Sequence, residues 1–89
     1  MQTMDISVEL TLTPLQDNYE ELIINFIKKL RDSGLTIRKN PLSTQIYGDY
    51  DSIMNLLNKE IKLALELMEN GLLYIKIVKS DRSQYEPNF

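Results

Sequence analysis

The chain has 89 residues, a formal net charge of -3, and no cysteine, histidine or tryptophan. Its length suits one small domain, and 43% hydrophobic with 26% charged residues is the composition of a folded protein. The missing residue types exclude disulfides, thiol nucleophiles, Cys/His zinc sites and histidine acid–base chemistry. We therefore predict a single domain over residues 1–89 that is not an enzyme, with no catalytic residues, no metal and no cofactor.

The charge and the hydropathy pattern also restrict location and partners. A mildly acidic balance provides no basic surface for nucleic acid or an anionic membrane. No apolar run approaches the roughly 20 residues of a spanning helix, and Met1–Asp5 lacks the basic and apolar regions of a signal peptide. These features predict a cytoplasmic protein.

The first half of the chain predicts a strand, a helix and a second strand. Apolar residues occupy every second position over Ile6–Leu12, a period of two that predicts a half-buried strand, which Pro14 ends. Over Tyr19–Leu30 the apolar residues follow the three- and four-residue spacing of a helical stripe. Gly34 follows this helix, and Leu35–Lys39 is predicted as a brief strand.

The second half of the chain repeats this order of elements. Leu42–Gly48 fits a third strand, after which Asp49 or Asp51 caps a long helix that runs to Asn70. Leu72–Lys79 is predicted as the last strand. The domain core thus covers about residues 6–79, and residues 80–89 form a polar tail without a regular pattern.

The order βαββαβ predicts an α+β sandwich of ferredoxin-like topology, with a four-stranded antiparallel sheet and two helices on one face. The first and third strands are central neighbours, and the other sheet face is left bare. The last strand is apolar at both alternations, as is typical of a strand covered on both faces. We therefore expect the bare face to be covered by self-association.

Alternation along the central strands predicts a polar patch on that bare face. The residues that point away from the helices are Ser7, Glu9, Thr11 and Thr13 on the first strand, with Ser43, Gln45 and Tyr47 on the third. Antiparallel pairing brings Ser43 close to Thr11 or Thr13. Strict alternation places Thr44 and Ser43 on opposite faces of the sheet. Both can therefore contact one ligand only near the start of the strand or at a local irregularity.

Four residues of this region are candidates for ligand binding: Glu9, Thr11, Ser43 and Thr44. Glu9 is a carboxylate in a strand of valine, leucine and threonine, which suits a cationic or amidine-like ligand, although a solvated outward side chain explains it as well. The hydroxyls offer both donors and acceptors to a small polar heterocycle. Threonine is also simply a good strand former, so the cluster counts for more than any one member.

Three segments of the chain carry a resemblance to a known family, namely Ile6–Leu15, Pro41–Asp49 and the strand Leu-Tyr-Ile-Lys-Ile-Val from Leu73. The most specific piece is Ser43-Thr44-x-x-x-Gly48 before an acidic helix start. Over about residues 6–79 the chain resembles the thiamine/hydroxymethylpyrimidine-binding (YkoF-like) family. The resemblance implies a non-enzymatic ferredoxin-like domain that binds thiamine or its pyrimidine moiety in the cytoplasm as a homodimer or homotetramer.

A second hypothesis from another class stays open, namely a structural or regulatory oligomer without a ligand, whose polar sheet face is only an interface. The same topology also hosts RNA-binding modules and acylphosphatases. An RNA-binding sheet needs aromatic and basic residues where this face has serine, glutamate and threonine. An acylphosphatase needs an anion-binding loop with arginine after the first strand, and Thr13–Asn18 has neither glycine nor arginine.

Overall fold

In a computed structural model, which describes residues 4–85, the chain forms a four-stranded antiparallel sheet with two helices. The elements are β1 (Asp5–Pro14), α1 (Tyr19–Arg31), β2 (Thr36–Lys39), β3 (Thr44–Asp49), α2 (Tyr50–Leu67) and β4 (Gly71–Lys79). The strand order across the sheet is β2-β3-β1-β4, with β1 and β3 at the centre. The predicted ferredoxin-like α+β fold is confirmed.

The period of two in β1 places its apolar side chains under the helices. The buried hydrophobic core consists of Ile6, Val8, Leu10 and Leu12 from β1, Ile46 from β3, Phe26 and Leu30 from α1, and Ile53 and Leu57 from α2. Both helices present one apolar stripe to the same face of the sheet, as their three- and four-residue spacing requires. The alternate residues of β1 therefore lie on the face without helices, namely Ser7, Glu9, Thr11 and Thr13.

The two neighbours of β1 differ in length, and this positions the candidate site. β1 pairs with β4 from Ile6 to Pro14, but it pairs with β3 only from Asp5 to Leu10. Among the described residues, 11–14 of β1 thus have a strand partner on the β4 side alone. A gap remains beside the end of β1, and the connection between β2 and β3 borders it.

β3 begins at Thr44, two residues later than the sequence predicts, because a side chain holds the preceding turn. The Asn40 side-chain oxygen accepts hydrogen bonds from the backbone N–H groups of Leu42, at 2.8 Å, and Ser43, at 2.9 Å. The Asn40 N–H in turn donates to the Ser43 carbonyl at 3.0 Å. An asparagine side chain that binds the backbone two and three residues ahead competes with strand pairing. Leu42 and Ser43 consequently belong to the turn.

The predicted end of the second helix is wrong by three residues, since α2 ends at Leu67 rather than Asn70. Tertiary hydrogen bonds replace its last turn. The Gln16 side chain accepts the Glu69 N–H at 2.7 Å, and the Leu15 N–H donates to the Asn70 carbonyl at 2.9 Å. At the other end of α2, Asp49 is the capping residue, because its carboxylate accepts the Ser52 N–H at 3.0 Å.

β1 ends at Pro14, as the sequence predicts, and Pro14 is still paired, opposite Gly71. The missing Pro14 N–H is no obstacle on the β3 side, where β1 has already lost its partner. Gly71 is required at this point because a Cβ atom there would lie 2.7 Å from the Thr13 carbonyl oxygen and 2.9 Å from the Pro14 Cα. The close approach of β4 to β1 therefore depends on a residue without a side chain.

The open face of the sheet is not entirely bare, because the start of the tail folds back onto it. The Ser7 hydroxyl donates to the Ser80 carbonyl at 2.7 Å and accepts the Arg82 N–H at 2.8 Å. Ser7 is therefore buried, although it belongs to the outward parity of β1. Residues 80–85 carry no helix or strand, and residues 86–89 of the predicted tail lie outside the described residues.

Candidate ligand-binding site

A solvent-open cavity of about 150 Å³ occupies the gap beside the end of β1. Its apolar wall comes from β1 and α1 and consists of Leu10, Leu12, Ile23, Phe26 and Ile27. Its polar wall comes from β1 and from the turn before β3 and consists of Thr11, Asn40, Ser43 and Thr44, with Pro41 and Leu42 beside them. An apolar cavity with a few converging polar groups suits a flat heterocyclic ligand.

Three of the four predicted site residues line this cavity together: Thr11, Ser43 and Thr44. Thr44 is buried on the helix side of β3, opposite Leu10 in the register. Ser43 lies in the turn, where the alternation of the strand no longer separates it from Thr44. The Thr11 hydroxyl donates to the Leu42 carbonyl at 3.1 Å and joins β1 to the turn across the gap. The turn is therefore the local irregularity that allows the Ser43 and Thr44 hydroxyls to contact one ligand.

The fourth predicted residue, Glu9, does not line this cavity but is one hydrogen bond away from it. The Ser43 hydroxyl donates to the Glu9 carboxylate at 2.9 Å, and the Gln45 side-chain amide donates to the Ser43 hydroxyl at 2.7 Å. Glu9 lies between Gln45 on β3 and Lys76 on β4 in the registers of the sheet. The Glu9 carboxylate is thus connected to the cavity lining by its hydrogen bond with Ser43.

Glu9 itself lines a second cavity, on the open face of the sheet. This cavity has a volume of about 150 Å³, and its lining includes Ser7, Glu9, Gln45, Tyr47, Lys76 and Arg82. The guanidinium carbon of Arg38 lies 5.8 Å from the centre of the Tyr47 ring, a cation–π distance. The tail residue Arg82 borders the cavity because Ser7 anchors the tail. The second cavity is polar and more open than the first.

Sequence reasoning missed three residues of these two cavities: Asn40, Lys76 and Arg82. Asn40 follows directly after the predicted strand Leu35–Lys39, and asparagine is a residue type whose side chain commonly binds the backbone in turns. Lys76 is found by aligning β1 with β4, because Glu9 then faces a lysine across the strands. Arg82 had no signal, since its position depends on the path of the tail.

Two carboxyl groups with altered pKa lie outside the lining of both cavities. The pKa of Asp49 is held below its usual value mainly because the carboxylate accepts the Ser52 N–H, the cap of α2. The pKa of Asp81 is likewise lowered, first by a hydrogen bond from Ser83 and to a smaller extent by the charge of Arg38. Both groups stabilise local turns, and neither is an acid–base candidate for the cavities.

Within residues 4–85, neither α1 nor α2 combines the length and apolar character needed to cross a lipid bilayer. The same residues contain no group of three or more acidic, histidine or cysteine side chains that could hold a metal ion.

Solved structures of other proteins share this architecture. A Thermotoga maritima protein assigned provisionally to thiamine biosynthesis or salvage superposes with a TM-score of 0.77 at 18% identity, covering 85% of this chain and 84% of that one. A Streptococcus pneumoniae protein superposes with a TM-score of 0.80 at 24% identity, covering 88% and 89% of the two chains. A Bacillus cereus domain of unknown function reaches 0.74 at 13% identity, covering 94% and 84%. At these identities the likeness shows the fold.

Family membership is decided by sequence. No curated protein matches this chain. The sequence model of the thiamine-binding protein family, however, matches residues 8–86, which include all four predicted site residues. The chain therefore belongs to the thiamine-binding protein family.

Proposed function

We propose that this protein binds thiamine or its hydroxymethylpyrimidine moiety in the cavity beside the end of β1, without catalysing a reaction on it. The family membership supports a binding role. The observation that carries the location is the convergence of Thr11, Ser43 and Thr44 on one apolar cavity. A cytoplasmic location and the absence of a cofactor, with the vitamin as ligand only, belong to the same proposal.

The lining of the cavity suits an aminopyrimidine. Its flat ring fits between apolar side chains of β1 and α1, among which Phe26 offers an aromatic surface. Its amino group and ring nitrogens need hydrogen-bond partners, which the three hydroxyls supply. The thiazolium half of thiamine is a permanent cation, and the nearby carboxylate of Glu9 lowers the cost of placing it at the cavity mouth.

Calorimetric titration with thiamine and with hydroxymethylpyrimidine tests the proposed ligand. We expect saturable binding of at least one of the two compounds. Thr44→Val removes one hydroxyl at nearly constant volume and should weaken binding by about twofold to tenfold, the worth of one hydrogen bond. Thr36→Val, on the exposed edge strand and outside the cavity, is the matched control and should bind like the parent. If neither compound produces heat on titration, the alternative hypothesis of a structural or regulatory oligomer without a ligand is favoured.

We further propose that the protein acts as a homodimer or homotetramer that associates through the open sheet face. The apolar edge strand β4 supports this, because Leu72 and Tyr74, which belong to the open face, are 53% and 56% exposed in the single chain. The tail covers the Ser7 end of that face and leaves the Leu72 end free. Large exposed apolar side chains in a contiguous patch are typical of an interface.

Sedimentation equilibrium at micromolar concentration measures this association directly. The parent should sediment as a dimer or tetramer, and the double variant Leu72→Gln with Tyr74→Ser should shift towards the monomer. The exposed α1 residue Ile24, 50% exposed on the helix side of the fold, provides the control Ile24→Gln, which should leave the assembly intact. A parent that stays monomeric at high micromolar concentration would contradict the proposed interface.

A further inference from the structure

The hydrogen bonds around Ser43 determine what its hydroxyl can offer a ligand. A carboxylate only accepts, so the 2.9 Å bond to Glu9 uses the single hydrogen of the Ser43 hydroxyl. The NH2 group of an amide only donates, so the 2.7 Å bond from Gln45 uses one of the two Ser43 lone pairs. What remains of the hydroxyl is one lone pair. Towards the cavity, Ser43 is therefore an acceptor only.

The Thr11 hydroxyl is committed in the same direction. Its hydrogen goes to the Leu42 carbonyl at 3.1 Å, and a carbonyl oxygen cannot donate in return. Two lone pairs of the Thr11 oxygen remain. Although a free hydroxyl serves as donor or acceptor according to need, these two hydroxyls of the polar wall have both lost that freedom to partners within the protein.

The cavity thus presents acceptors from two elements, β1 and the turn before β3, beside an apolar wall. We infer that Thr11 and Ser43 read an exocyclic amino group on a flat heterocycle, and that the site discriminates against the oxo analogue of the same ring. This inference rests on the proposed function and specifies the ligand group that the site selects. An amino group has two N–H donors, which is the number that two acceptor hydroxyls can engage. An oxo group would instead direct its own lone pairs at theirs.

The supporting residues keep Ser43 in this state. Glu9 is half-buried in the middle of β1 and lies between Gln45 and Lys76 in the registers of the sheet. Gln45 holds the Ser43 oxygen from the strand side. Glu9 and Gln45 are positioning residues that act on the ligand through Ser43. Thr44 belongs to the same polar wall, and its hydroxyl, which can rotate, tolerates either type of ring substituent.

A comparison of thiamine with oxythiamine, in which an oxo group replaces the amino group of the pyrimidine, tests the inference by calorimetry. Thiamine should bind at least tenfold more tightly. With oxythiamine bound, the Thr11 and Ser43 oxygens would be covered by the ligand without receiving a hydrogen bond, which costs at least as much binding free energy as the loss of one neutral hydrogen bond. Equal affinities would overturn the amino-group inference and leave the proposed function standing. No binding of thiamine or of hydroxymethylpyrimidine would overturn both.

Variants separate the role of Ser43 from the general shape of the cavity. Glu9→Leu removes the acceptor that holds the Ser43 hydrogen, so that this hydrogen can turn to the ligand; the preference for thiamine should then fall at least threefold. Thr13→Val, on the same strand and parity but outside the cavity lining, should leave the preference unchanged. If Glu9→Leu does not fold, Thr11→Val removes the second acceptor and should also narrow the preference. A preference that is unaltered in every folded variant would overturn the assignment to these two hydroxyls.

Discussion

The two faces of the sheet are formed by the same strands, yet one carries buried apolar side chains and the other carries mostly polar, partly exposed ones. On the helix side, Ile6, Val8 and Leu10 of β1 are at most 2% exposed. On the open side, Glu9, Thr11 and Thr13 of the same strand remain partly exposed. The difference arises from parity alone, because successive side chains of a strand point to opposite faces. The candidate site lies beside the end of β1 and the start of β3, where this separation breaks down and both faces contribute to one cavity.

Each side also contains a charged or polar residue that departs from this division. Among the helices, Glu60 is 6% exposed, and one of its carboxylate oxygens has no hydrogen-bond partner within the described residues. On the open face, Ser7 is buried under the tail that it anchors. A buried polar group stabilises a protein when its bonds are made and destabilises it when they are not. The two exceptions should therefore respond to substitution with opposite signs.

The largest effect tests the rule of the covered face. Leu10→Ala should lower the free energy of unfolding by about 2–5 kcal/mol, because it leaves a cavity between the sheet and the helices. Thr13→Ala, on the same strand but at the open parity, should cost less than about 1 kcal/mol. Urea denaturation of both variants measures the difference. Similar losses at the two positions would contradict a division of the sheet into a core face and an open face.

The next effect concerns Glu60, the exception within the covered layer. Glu60→Met replaces an unsatisfied carboxylate by an apolar side chain of similar length and good helix propensity, and it should stabilise the fold by about 1–3 kcal/mol. Glu66→Met on the exposed part of the same helix is the control and should change stability by about 0.5 kcal/mol or less. Chemical denaturation provides the measurement. A loss of stability specific to Glu60→Met would mean that its carboxylate is satisfied in solution.

The smallest effect concerns Ser7, the exception on the open face. Ser7→Ala removes one hydrogen bond to the Ser80 carbonyl and one from the Arg82 N–H, and it should cost about 1–2 kcal/mol. The tail should also open more often, so trypsin should cut after Arg82 faster in the variant. Thr36→Ala on the exposed edge strand is the control for stability and for the cleavage rate. Unchanged cleavage after Arg82 would show that Ser7 does not hold the tail.

Much of the fold could be predicted because its periodicities are local. The alternation in β1 and the helical stripe of α1 each encode which side of the element is apolar, and the order of elements then leaves few topologies. The sequence limits the N-terminal cap of α2 to Asp49 or Asp51, and in the structure the Asp49 carboxylate accepts the Ser52 N–H. The end of α2 was misjudged because Gln16, fifty-three positions away in the chain, takes the Glu69 N–H.

The candidate site shows the same boundary between local and long-range information. The sequence by itself determined which residue types were present, and it drew attention to Glu9, Thr11, Ser43 and Thr44 as an unusual polar set within the strands. Only the tertiary structure decided that β3 stops short of the end of β1, which opens the cavity, and that Glu9 reaches it through Ser43. Strand lengths, partner atoms and the path of the tail depend on contacts between residues far apart in the chain. Local propensity carries no record of those contacts, whereas the period of a single strand or helix is written in its own residues.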